Sequence, residues 1–533
     1  MSASESRTTP DQHSDEALLH RLGYAQVLYR EMGGFSNFAI SFTIISILAG
    51  CLTSYFIGFN NGGPVAITWG WLLIGGFSII VAMTMGEIAS AMPTAGALYF
   101  WASKLGSPAW GWFTGWFNLV GQISVTAAID YGAATFTTAL LSLWFPDVIG
   151  TDTPTIFVVF TVIVALHIAL NLLNVNLLAQ LNTISAWWHM VGVAVIVVVL
   201  AVVPRHQPVS FVFTQALNNS GFSSDGFGAF YVFCLGLVLS AYTITGYDAS
   251  AHMSEETRQA SRAAAVGMVM SVVASVFFGF ILLVAVTFAV PFANDGTADV
   301  ANVFLGGGTP DAPAPANAVV YIWSTSLGDA WAAFLLLIAV VAQFFCGTAS
   351  ITSASRMMFA FSRDGAVPGS TLWRRVARNR VPVNAVVAIG VLAWLIMVPS
   401  LFSLVAYLVA TSIAVIGLNI AFLLPIILRI RAGDRFEPGA WSLGRHWRWI
   451  APVAAVYIVI ICLIGILPVS PNGIPGAEDF DWEVFNFTPV TVGAAVLLFG
   501  GWYLLSARHW FTGPVREAGN EAGLADIERE LSS

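Results

Sequence analysis

Thr243-Ile244-Thr245-Gly246-Tyr247-Asp248-Ala249-Ser250 interrupts an apolar stretch, residues 228–253, that is long enough to cross a bilayer. A span needs about 20 apolar residues. Gly246 weakens a helix by about 1 kcal/mol relative to alanine. Asp248 puts a carboxylate at a depth where it is costly without a partner or a task. A second interruption, Ser46-Ile47-Leu48-Ala49-Gly50-Cys51, lies in the apolar stretch 36–59. Small residues at mid-span also let helix backbones approach closely, so tight packing is the competing reading of each. The two interruptions lie five spans apart, as in an inverted repeat of five helices. In such repeats the first helix of each half unwinds at the midplane and exposes backbone groups to a solute.

The rest of the chain fits that frame. Of its 533 residues 57% are apolar and 9% charged, against about 25% charged in soluble domains. The mean hydropathy is +0.79. Apolar stretches fall near 36–59, 65–91, 109–142, 155–178, 181–203, 228–253, 265–291, 330–362, 382–400, 403–430, 449–468 and 488–506. They predict an all-α polytopic membrane protein of twelve transmembrane helices. A cytoplasmic tail spans 1–35, a first repeat 36–203, a second repeat 228–430, two added helices 449–506, and a second tail 507–533. Residues 517–531 read as a solvated tail or a short acidic surface helix. No hydrophilic stretch is long enough for a soluble domain, and the first 35 residues lack the apolar core of a signal peptide.

Charge gives the orientation. Twenty of the 21 basic residues fall in the tails and loops of one side, and Arg205 falls on the other. The opposite loops carry Asp295, Asp299, Asp311, Glu478, Asp479, Asp481 and Glu483. The positive-inside rule then places both termini in the cytoplasm. The net charge of −8 argues against a nucleic-acid partner. Cys51, Cys234, Cys346 and Cys462 lie singly within apolar spans, which argues against disulfides and a metal site. Twenty arginines against one lysine, with abundant Ala, Val and Gly, point to a GC-rich bacterial genome and so to a bacterial inner membrane.

Four stretches carry a family resemblance: Gly62-Gly63-Pro64 through Gly70-Trp71; Gly86-Glu87-Ile88-Ala89-Ser90-Ala91-Met92-Pro93-Thr94-Ala95-Gly96-Ala97-Leu98-Tyr99; Thr245 through His252 with Glu255-Glu256; and Ser355-Arg356 through Arg363-Asp364-Gly365-Ala366-Val367-Pro368. With them the chain resembles the amino acid–polyamine–organocation superfamily over about residues 20–510. The likeness is greatest to its amino acid/choline branch, which includes GABA and choline permeases. It implies a LeuT-type five-plus-five fold with two further helices. It also implies a secondary transporter, with an amino acid or an amine such as GABA as solute and a proton as coupling ion. Choline or polyamine transport, or exchange, are the alternatives. No cofactor is implied. Two departures stand out: Leu48-Ala49-Gly50 replaces a Gly-Ser-Gly break, and Asp248 replaces a glutamate.

The expected solute site comprises Ser46, Ile47, Gly50, Cys51, Asn118, Gln122, Tyr242, Ile244, Gly246, Tyr247 and Asp248. Asn118 and Gln122 share a helix face at i, i+4. Tyr242 stands one turn before the second break, where relatives carry an aromatic gate. His189 follows Asn182 by seven residues, where proton-coupled relatives carry a lysine, so the resemblance implies proton coupling there. Histidine titrates in the physiological range. A structural histidine is the plainer reading of His189, and more so of His167. Asp130 reads as a proton or amine site, or as a carboxyl bonded to a neighbouring helix. Glu87 reads as a gate or a structural residue, and Glu255, Glu256, Arg258 and Arg262 as a solvated charged face. Neither H-E-x-x-H, G-x-S-x-G nor a P-loop is present, so an enzyme or an ATP-driven pump is not expected.

Overall fold

A computed structural model describes residues 15–173, 175–310, 314–402, 405–518 and 521–532. Arg7 and Asp311, counted in the charge asymmetry, lie outside them. Among the described residues there is no β-strand. Ten helices among these residues are long and apolar enough to cross a membrane. The two other expected spans are also helical but fall outside these ten. Pro108–Trp144 runs 37 residues and carries Asn118, Gln122, Ser124, Thr126 and Asp130 along its middle. The sixth is broken into Phe227–Gly236, Val238–Thr243 and Ala249–His252.

Local chemistry starts several of these helices. Proline stands in the first turn of Gly63–Ala91, Pro108–Trp144, Thr153–Asn171 and Thr488–Leu505, where its missing N–H costs nothing. Asp152 caps Thr153–Asn171 by accepting from the Thr155 N–H at 3.2 Å.

Burial sorts the helices into core and rim. Gly34–Thr53 is 83% buried across its most apolar window, and Thr153–Asn171 only 28%. Val158, Val162 and Leu166 of the latter face outward, where lipid is the compatible solvent. Pro108–Trp144 is the central post. Val405–Ala432 and Asp329–Arg363 pack along it, and Ala260–Phe288 pairs with Gly63–Ala91.

Both described tails meet at one end. His20 on helix Asp15–Leu22 lies 2.8 Å from Glu528 on helix Glu521–Ser532. The Glu517 carboxylate accepts from the Ala25 N–H at 2.8 Å. The C-terminal segment is thus a docked helix with Leu524 buried, rather than a solvated tail. Glu255 and Glu256 are also not a solvated face. Both are fully buried, Glu255 against Arg363 at 3.0 Å and Glu256 against Arg356 at 2.7 Å. Glu87 pairs with Arg429 at 2.8 Å. A buried carboxylate requires such a partner, and these pairs tie helix ends together on the side of the tails.

Candidate functional site

The first helix turns at Ser46, where φ is 37°. Helix Gly34–Ile45 ends there and Ile47–Thr53 begins. Gly50, the expected breaker, lies inside the second piece. Its absent side chain serves close approach instead: a Cβ there would come within 2.6 Å of Thr243. The second break falls where the sequence puts it. Helix Val238–Thr243 ends, Gly246 adopts φ 84°, and Ala249–His252 follows. A Cβ on Gly246 would strike Ile44, so the two breaks press on each other.

Hydrogen bonds staple the broken pieces together. The Ser41 hydroxyl donates to the Tyr247 carbonyl at 2.8 Å and accepts from the Ser250 N–H at 2.9 Å. The Asn37 amide donates to the Ser250 carbonyl at 2.9 Å. Irregular backbone at this depth is tolerable because protein satisfies it.

Between the breaks lies a cavity of about 20 Å³, with Gly50, Ile129, Tyr242, Thr245, Gln343 and Cys346 in its wall. It has room for a water molecule and not for an amino acid. Tyr242 also lines a cavity of about 420 Å³ that reaches toward Asn60 and Asn219, at the end away from the tails. Tyr242 thus stands in the walls of both cavities.

The other expected residues divide into four groups. Ser46 and His189 meet directly: the Ser46 hydroxyl lies 2.8 Å from His189 Nε2. His189 Nδ1 lies 2.8 Å from the Ser185 carbonyl. A carbonyl only accepts, so Nδ1 bears the hydrogen, and Nε2 of the neutral ring accepts from Ser46. Asp248 forms a separate buried knot, accepting from Asn118 and Gln122 at 3.3 Å each, with His252 Nε2 also at 3.3 Å. Ser353 donates to Gln122 at 3.3 Å. These partners hold Asp248 outside the cavity wall. Asp130 lies 3.0 Å from His167, both fully buried, in space left by Gly347. Ile47, Cys51, Ile244 and Tyr247 are buried within or beside the breaks. Tyr247 packs its ring 5.2 Å from Phe422.

Sequence reasoning gave no site role to Gln343, Cys346 and His252. Gln343 was the detectable one, an amide set among Val340, Val341, Ala342 and Phe344 in an apolar span. Among the described residues, Glu16, His20 and Glu528 bring one ligand atom each within 4.8 Å of one another, at the tail junction and remote from the cavity.

The chain matches the amino acid permease family over residues 32–496. It is 38% identical to the amino-acid permease BAT1 of Arabidopsis thaliana, over 95% of this chain and 97% of that one. It is likewise 38% identical to the BAT1 homolog of Oryza sativa, over 94% and 95%. It is 26% identical to the GABA-specific permease of Saccharomyces cerevisiae, over 94% and 86%. A match of this extent, on a helical bundle with two facing helix breaks, places the chain in the amino acid permease family, which consists of membrane transporters rather than enzymes.

Proposed function

We propose that this chain is a secondary active transporter that imports an amino acid, or a related amine such as GABA, by proton symport with alternating access. The observation that carries the reading is the His189–Ser46 contact at the turn of the first helix, beside a cavity walled by both breaks. Backbone at Ser46–Cys51 offers N–H groups to a carboxylate, and carbonyls near Ile244 accept from an ammonium. A proton on His189 Nε2 reverses the hydrogen bond. Nε2 then donates to the Ser46 oxygen, and the hydroxyl hydrogen is released for a carboxylate at the break. Proton and solute thus favour each other's binding, and the coupling is reciprocal. Asp130, against His167, is the second proposed proton group.

The proposed frame is twelve spans in a five-plus-five inverted repeat with cytoplasmic termini in the plasma membrane, supported by the charge asymmetry and by the meeting of the tails. The vestibule at the far end and the ion pairs at the tail end fit an outward-facing form. GABA is carried by the yeast relative's name. The relatives reported above are plant and fungal, and a bacterial setting rests on composition alone.

Uptake into proteoliposomes against an imposed pH gradient, with sodium varied separately, tests the coupling. Wild-type uptake is expected to follow the pH gradient, and His189→Gln to lose that dependence. Uptake that follows sodium and ignores the pH gradient would make His189 structural.

A further inference from the structure

Gln343 projects from helix Asp329–Arg363 into the wall of the cavity between the breaks. It is 1% exposed, and neither Oε1 nor Nε2 has a hydrogen-bond partner among the described residues. The threonine hydroxyls and the cysteine thiol of that wall are spent. The hydroxyls of Thr53, Thr243 and Thr245 donate to the carbonyls of Ala49, Leu239 and Tyr242. The Cys346 thiol donates to the Ile44 carbonyl at 3.3 Å. A buried amide left unpaired is costly, and here it faces the space that the solute enters.

We infer that Gln343 reads the far end of the solute, and that the preferred solutes are α-amino acids whose side chain ends in an uncharged amide or hydroxyl. This rests on the transporter reading above, in which the breaks hold the α-carboxylate and α-ammonium. The third polar group then meets Gln343, which offers a donor and an acceptor to match an amide or a hydroxyl. Among the described residues no Asp, Glu, Lys, Arg or His lines this cavity, so a charged end has no counter-charge and is disfavoured. GABA has only the two charged groups and leaves Gln343 unpaired.

Competition uptake with glutamine, glutamate, GABA and norleucine, which matches glutamine in length without the amide, provides the test. Wild type should prefer glutamine over norleucine by about 10- to 100-fold, the effect of one unpaired buried group. Gln343→Leu should collapse that ratio while norleucine uptake rises, and Gln343→Glu should weaken glutamine uptake. Gln343→Met serves where the leucine variant does not reach the membrane. An unchanged ratio in Gln343→Leu, or wild-type preference for GABA, glutamate or norleucine, overturns the inference and leaves the transporter reading standing. No uptake of any amino acid by folded wild type overturns both.

Discussion

Gly246 and Gly50 are constrained for different reasons, and their substitutions should differ accordingly. Gly246 has a positive φ and lies against Ile44. Gly246→Ala should cost about 1–3 kcal/mol, the usual scale of backbone strain, and lower the unfolding midpoint in detergent. Gly50 sits in regular helix, where close contact with Thr243 forbids a side chain. Gly50→Leu should therefore spare the turn at Ser46 and still abolish solute binding by forcing the two broken helices apart. Retained affinity in both Gly50→Leu and Gly246→Leu would remove the site from this place. At Ser46 itself the turn is made by a non-glycine residue, held by its N–H bond to Phe42 and its hydroxyl contact with His189.

The helix ends at the tail side act as a unit. Arg363 pairs with Glu255, lies 3.7 Å over the Tyr24 ring, and comes within 3.9 Å of Glu517. Arg363→Ala leaves Glu255 buried without its cation, a loss on the order of 3–5 kcal/mol; chemical denaturation of the purified protein measures it, and a loss below about 1 kcal/mol would mean that solvent reaches Glu255. The next residue, Asp364, accepts from the Tyr24 hydroxyl at 2.8 Å and the Val515 N–H at 2.9 Å. Burial pushes its carboxyl up to about 8, from an ordinary value of about 3.9. The folded form therefore holds a proton that the unfolded chain lacks between those values. Its contribution to stability is full at the acid end and is lost as pH rises through about 8. Asp364→Asn keeps the neutral shape and should flatten the fall in unfolding midpoint between about pH 5.5 and 8.5. An unaltered slope would assign that pH dependence to other groups.

Across the whole molecule, orientation is the open quantity that charge predicts. Arg375 and Asp481 are both exposed and belong to loops expected on opposite sides. With Cys234 and Cys462 replaced, since both are half-buried, an impermeant thiol reagent applied to intact cells should modify Asp481→Cys and miss Arg375→Cys. Strong labelling of Arg375→Cys from outside would invert or break the proposed map.

Apolar run lengths alone yielded the helical class, because hydrocarbon tolerates little else, and the Asp248 stretch yielded the second break, because Gly246 supplies its positive φ. The first break was read near Gly50, but a left-handed serine leaves no mark in a sequence; its neighbours on other helices hold it there. Tertiary structure alone decided which buried polar groups were already satisfied. Asp248 reads in the sequence as a lone buried carboxylate, but Asn118, Gln122 and His252 converge on it, and Gln343, given no role by the sequence, lacks a partner among the described residues. Hydrogen-bond satisfaction depends on groups brought together from distant parts of the chain, and no local pattern records it.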